Sequence, residues 1–210
     1  NLNLNKVNYL ANIANKNFEI LGTNASSDDV TFASTIAGIE LQTDTGNNDQ
    51  VIVLPHLDTN QTAWTGVKWG TENQTEWECL IRTDAIGTIL LWAGLKLTNT
   101  PTIATDDDQV YFRFSTTDSD TNWRCISSIA GTDTNTDSGV AVAANTNYRL
   151  RVKILSSRAA EFYINDVMVT RTAALTNDVD LIPYIGLQSL SAAADKLNIS
   201  YEKISRIIFE

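Results

Sequence analysis

Glu76 and Glu78, two residues apart with Glu72 just upstream, come nearest to a catalytic set in this 210-residue chain. Residues two apart on a strand share a face, so their carboxylates would project together at roughly 6–7 Å. Paired carboxylates at such separations carry out glycoside hydrolysis. A second candidate is the run of seven aspartates within 101–140: Asp106, Asp107, Asp108, Asp118, Asp120, Asp133 and Asp137. Calcium takes clustered carboxylates from flexible loops, although the glycine and terminal glutamate of an EF-hand are missing. The third is tryptophan. Trp64 and Trp69 fall in the glycine-containing run TAWTGVKWGT, where an indole would stack on a sugar ring or anchor a subunit contact. Asp106, Asp107 and Asp108, with the many Asn and Thr, would supply hydrogen bonds to the same glycan.

These residues must be held by strands. The chain has 26 Thr, 20 Asn and 17 Asp, against three Pro and one Met. Thr suits pleated surfaces, and Asn and Asp suit turns. Short apolar runs predict strands at Phe18–Leu21, Val30–Ser34, Ile39–Thr43, Val51–Leu54, Glu76–Thr83, Thr88–Leu97 and Val110–Ser115. They continue at Trp123–Ile129, Gly139–Val142, Tyr148–Leu155, Ala159–Ile164, Val167–Arg171, Leu181–Ser189 and Leu197–Phe209. Tyr148, Leu150, Val152 and Ile154 alternate with Arg149, Arg151 and Lys153, the pattern of a half-buried strand. EFYI, Asn165–Asp166 and VMV read as a hairpin with a two-residue turn. No run has the length and period of a helix. Many strands at short spacing predict an all-β, antiparallel two-sheet sandwich over residues 18–210. Alternation places Trp77, Cys79 and Trp123 in its core. The cysteines read as buried thiols, with their pairing left open, and His56 after Pro55 as a structural hydrogen-bonder.

Composition excludes several functions. With 25 acidic and 15 basic residues the net charge is −10, which disfavours nucleic acid as a partner. One histidine and two cysteines cannot build a structural zinc site. The apolar run Ile89–Leu95 is far too short to span a bilayer. No leader pattern is read at the N-terminus. The four Asn-x-Ser/Thr sequons, at Asn24, Asn60, Asn73 and Asn198, are what this composition produces by chance. Residues 1–17 hold seven Asn without Gly or Pro, and read as an extended arm. Leu2, Leu4, Val7, Leu10 and Ile13 would dock it on a neighbour.

The stretch YRLRVKILSSRAAEFYINDVMVTR (148–171), followed by LIPYIGLQSLSAAADKLNISYEKISRI (181–207), resembles the C-terminal half of concanavalin A-like, or laminin-G-like, jelly rolls. Asn165–Asp166 stands where that pattern has Asn-Gly, Pro183 supplies its proline, and Ile199-Ser200-Tyr201-Glu202 lies near its closing strand. Upstream, GIELQTDTGNNDQVIVLPHLD (38–58) and TAWTGVKWGTENQTEWECLIRT (62–83) are similar to segments of tailed-bacteriophage virion proteins with this fold. The resemblance implies a non-enzymatic virion structural protein, a capsid decoration or fibre domain assembled in the host cytoplasm. It would form an oligomer, a trimer among the options, and contact other virion proteins, without a cofactor; the Asp loops read as ordinary turns, with a bound calcium ion as the alternative. The alternative it implies is a lectin-like module that binds a cell-surface glycan. A glucanase reading is weaker. Glucanases of this fold carry Glu-x-Asp-x-Glu or Glu-x-Asp-x-x-Glu, whereas this strand reads Glu76-Trp77-Glu78-Cys79-Leu80-Ile81, without the central Asp and final Glu. Fold alone does not choose among these functions.

Overall fold

The computed structural model describes residues 18–33, 37–55, 69–98, 100–101 and 106–207. The arm residues Leu2, Leu4, Val7, Leu10 and Ile13 lie outside them. The first strands are β1 (Phe18–Leu21), β2 (Val30–Phe32), β3 (Ile39–Gln42), β4 (Gln50–Pro55) and β5 (Trp69–Gly70). The middle of the chain gives β6 (Glu76–Thr83), β7 (Ile89–Lys96), β8 (Gln109–Ser115), β9 (Asn122–Ile129) and β10 (Thr132–Ala141). The last are β11 (Tyr148–Ile154), β12 (Ala159–Ile164), β13 (Val167–Ala174), β14 (Asp180–Ser189) and β15 (Lys196–Ser205). A 3₁₀ turn at Ser27–Asp29, capped by Ser26, is the one helical element among the described residues.

Two antiparallel sheets form. An eight-stranded sheet runs β1-β4-β14-β7-β8-β9-β10, with β5 joined to β14, and a seven-stranded sheet runs β13-β12-β11-β6-β15-β3-β2. This is the predicted sandwich. Between the sheets lie Leu91, Ala93, Phe112 and Trp123 from one layer and Trp77, Leu150, Val152 and Phe162 from the other. Phe112 meets Phe162 edge-on with centroids 5.1 Å apart. Trp77 and Trp123 are core residues, as their alternation requires, at 0% and 1% exposure. Cys79 and Cys125 are both buried and unpaired. Burial raises the Cys79 thiol well above its usual range and pushes Cys125 up to about 12, so neither supplies a thiolate.

The hairpin forms where expected. Asn165 and Asp166 take φ of 50° and 68°, the left-handed pair of a tight two-residue turn, between β12 and β13. Three strands depart from the sequence reading, one of them β5, which forms where a loop is expected. β10 begins at Thr132 rather than Gly139, so Asp133 and Asp137 sit on a strand instead of in loops. Its TDTNTDS run has no apolar face because it lies at the sheet edge, where pairing with β9 supplies its backbone partners. In β15 a bulge between Ile199 and Tyr201 inserts one residue and resets the alternation. Tyr201 and Lys203 then face outward, while Glu202 turns inward opposite Cys79.

There the Glu202 carboxylate accepts a hydrogen bond from Trp77 Nε1 at 2.7 Å. Burial pushes Glu202 from its ordinary 4.5 up to about 7, against the opposing effect of that bond. The residue as a whole is half-buried. A raised carboxyl pKa stabilises the fold below the unfolded value, and that contribution is lost as pH rises through the folded value. Glu202→Gln keeps an acceptor for Trp77 and removes the titration. Denaturant unfolding across about pH 4.5 to about pH 8 should show wild type losing about 1–2 kcal/mol that the variant retains. Equal pH slopes would refute the assignment.

Candidate functional site

Strands β7, β8, β9 and β14 bury side chains on both faces of the eight-stranded sheet. Alternation sends Ile89, Leu91, Ala93 and Leu95 of β7 into the sandwich and Leu90, Trp92, Gly94 and Lys96 outward. The outward set joins Ile182 and Tyr184 of β14, Tyr111 of β8, Ile126 of β9, and Ile52 and Leu54 of β4 in a second apolar cluster. Polar neighbours frame it: Gln50 and Gln188 on one margin, Arg113 and Arg124 toward β10, and Gln109 opposite Ser128.

Glycine sets the shape of this face. Gly94 lies between Tyr184 on β14 and Tyr111 on β8, and the two rings meet across it at 6.1 Å. Gly186 lies between Ile52 and Trp92, and a Cβ placed there would come within 2.8 Å of Trp92 Nε1. The indole therefore rests on bare backbone. Trp92, Tyr111 and Tyr184 are buried, at 2%, 6% and 0% exposure, whereas Gln50, Gln188, Leu90, Arg113 and Arg124 are half-buried.

Charges at this face come paired. Lys96 Nζ lies 3.8 Å from Asp106, bonds the Thr100 carbonyl, and sits 5.4 Å from the Tyr184 ring centroid. Burial lowers its pKa, and Asp106 partly restores it. Arg113 forks onto Asp120 through Nε at 3.1 Å and Nη2 at 3.3 Å, with Asp118 3.1 Å from Nη1. Arg124 reaches Asp137 at 2.7 Å and Asn135 at 2.8 Å. Burial pushes the Tyr111 phenol up to about 12 and raises Tyr184 as well. Both hydroxyls stay protonated at neutral pH.

The residues singled out from sequence lie elsewhere or in other roles. Trp64 and His56 are outside the described residues. Trp69 is buried on β5, paired with Leu181. Asp106, Asp107 and Asp108 turn to separate partners. Asp106 accepts from the Thr98 amide and hydroxyl, both at 2.8 Å, and Asp108 from Ala130 N and Thr176 Oγ1, while the Asp107 carbonyl takes Gly131 N. Among the described residues no group of three or more His, Cys, Asp or Glu is placed to hold a metal.

Glu76 and Glu78 do share an outward face, but on the seven-stranded sheet. Glu76 pairs with Arg151 at 3.4 Å, and Glu78 takes the Tyr201 hydroxyl at 2.6 Å and Lys203 Nζ at 3.2 Å. Trp92 is passed over as a candidate because Ile89–Leu95 reads as one apolar run, and Tyr111 and Tyr184 because they fall inside expected strands. The signal lies in the alternate positions Trp92-Gly94-Lys96 and Tyr184-Gly186-Gln188.

No family model and no curated protein matches this sequence. Solved structures of the same fold are numerous. Alginate lyase A1-II′, of polysaccharide lyase family 7, has a TM-score of 0.61 at 12% identity, covering 88% of this chain and 86% of that one. An alginate lyase of Pseudomonas aeruginosa scores 0.59 at 10% identity, with 87% of each chain covered. A glycoside hydrolase family protein of Mycobacterium thermorestibile scores 0.60 at 11% identity, over 90% of this chain and 92% of that one. The chain is an all-β jelly-roll sandwich of the kind these enzymes share. That finding corrects the sequence reading. The structures named above are carbohydrate-acting enzymes rather than tailed-phage virion proteins, so the virion assignment and the non-enzymatic assignment both fall.

Because Gly186 alone leaves room for the indole, Gly186→Ala should displace Trp92. Overpacking of this kind destabilises by about 1–3 kcal/mol. Thermal unfolding and the tryptophan emission maximum check it, and an unchanged spectrum with unchanged stability would contradict the packing described.

Proposed function

We propose that this chain acts on a polysaccharide, which it binds across the outer face of the eight-stranded sheet. The observation that carries the reading is the accessible row of side-chain amides, Asn48, Gln50 and Gln188, at the margin of this face. The buried cluster of Trp92, Tyr111 and Tyr184, packed over Gly94 and Gly186, holds the strands that carry Gln50 and Gln188 in register. Side-chain amides meet sugar hydroxyls as both donors and acceptors. Gln50 already donates to Gln188 at 3.1 Å, and Gln188 to Asn48 at 3.2 Å, a chain of amides that a ligand hydroxyl can join.

The fold supports the same reading. Related structures at the identities given above are those of polysaccharide lyases, one of them seen with the product GGG and another with the substrate GGMG. The seven-stranded sheet offers a poorer surface. Its outward side chains are tied to one another, Arg149 to Asp166 at 2.7 Å and Lys196 to Glu40 at 2.7 Å, with Arg151 stacked 4.0 Å over Tyr163.

The test is calorimetric titration of the chain with soluble polysaccharides, followed by an assay for new chain ends in the same mixtures. Gln188→Ala, at the half-buried margin, should weaken binding about three- to tenfold with little change in Tm. Glu76→Gln, on the opposite sheet, should leave affinity unchanged. Loss of binding on Glu76→Gln alone, or no binding to any polysaccharide, would remove the proposal.

A further inference from the structure

We infer that this face takes an internal stretch of the polysaccharide, laid across the strands from the amide margin to the β10 edge, and that Arg113, Arg124 and Asn135 bind its far end. The inference rests on the polysaccharide reading above and deepens it.

The first observation is a row of accessible polar side chains on six neighbouring strands. Gln50 on β4 faces Gln188 on β14, which faces Leu90 on β7. Two residues along β7, Trp92 faces Arg113 on β8, Arg113 faces Arg124 on β9, and Arg124 faces Asp137 on β10. Directly opposed residues share a face, so all of these project outward. Gln50, Gln188, Leu90, Arg113 and Arg124 are half-buried, and Asn135, two residues before Asp137, is exposed. Solvent therefore reaches the whole row in the structure as it stands.

The second observation is the direction of that row. Along the strands the open surface stops beside it, because Ile52, Trp92, Tyr111 and Ile126 are buried. Across the strands it continues. The sheet order β4-β14-β7-β8-β9-β10 gives a succession of strand spacings, which at ~4.8 Å each make a row of about 24 Å. A pyranose ring is comparable in width to one such spacing, so the row has room for a run of about five. Its ends are not walled. Past Gln50 its neighbour is Thr23, small and exposed, and Gly22 beside it has no side chain. Past Asn135 no further strand is paired, because β10 is the edge of the sheet. A row open at both ends accepts the middle of a chain rather than its terminus.

The third observation is that the far end is already ordered. Asp120 takes Arg113 at 3.1 and 3.3 Å, and Asn135 and Asp137 take Arg124 at 2.8 and 2.7 Å. Two long side chains are thus held against the sheet before a ligand arrives, so binding loses little of their rotamer freedom. Guanidinium donors alternate with carboxylate acceptors there, and a sugar hydroxyl meets either.

Oligosaccharide ladders of about one to eight units, cut from alginate, β-1,4-glucan and β-1,3-glucan, test this by calorimetric titration of the full chain. In a ladder that binds, affinity should climb at least about tenfold between about two and five units and then level off. Reducing the terminal sugar of a longer oligomer to its alditol should leave that affinity unchanged. Asn135→Ala and Arg124→Gln should weaken the longer oligomers about three- to tenfold and spare the disaccharide, whereas Gln188→Ala weakens both. Asn135 is exposed, so its variant should keep the wild-type Tm. Lys203→Ala, on the opposite sheet, should change no affinity. A disaccharide bound as tightly as the longer oligomers, or affinity lost on alditol formation, would overturn the through-running row while leaving the polysaccharide reading in place. Length dependence left intact by both Asn135→Ala and Arg124→Gln would do the same. Binding to none of the ladders and none of their parent polymers would overturn this inference together with the reading beneath it.

Discussion

A central sheet buried on both faces has to serve two packing surfaces from one backbone. β7 is buried at every position but Leu90, and β14 at all but two. Strands of this kind read as nearly continuous apolar sequence, and the two sides can be told apart only by what alternates within the run. The inner side takes branched aliphatic residues that fill the space between layers. The outer side takes Trp92, Tyr111, Tyr184 and Lys96, large side chains with a polar end, and accommodates them by leaving Gly94 and Gly186 bare. The glycines weaken strand propensity, and the aromatic packing they permit offsets that loss. Everything proposed for the site depends on this division of one sheet between a dry core and a face that still carries hydrogen-bonding groups.

The seven-stranded sheet solves the simpler problem. β11 buries Tyr148, Leu150, Val152 and Ile154 and exposes Arg149, so hydrophobic and polar residues alternate cleanly. That is why β6, β12 and the start of β11 are legible to the residue, and why alternation alone suffices to put Trp77 and Cys79 in the core. Legibility fails where the alternation rule loses its contrast. β10 is polar from Thr132 to Ser138, and its strand character there comes from pairing with β9. β15 alternates, but its bulge reverses the phase, so Glu202 faces inward where an unbroken strand would turn it outward. β7 alternates in size and polarity rather than in burial.

The functional reading of the sequence fails for a related reason. Sandwich packing constrains which positions are apolar, so a jelly roll can be inferred from pattern. The likeness to phage proteins rests on segments such as 62–83, and packing does not fix what the surface of a sandwich does. Loops and exposed carboxylates are the usual places for function, and they draw the sequence reading toward Trp64 and the aspartates. Here the chemistry-bearing side chains are strand residues in a buried sheet. Glu76 and Glu78 share the face that their spacing predicts, yet Arg151, Tyr201 and Lys203 already occupy them.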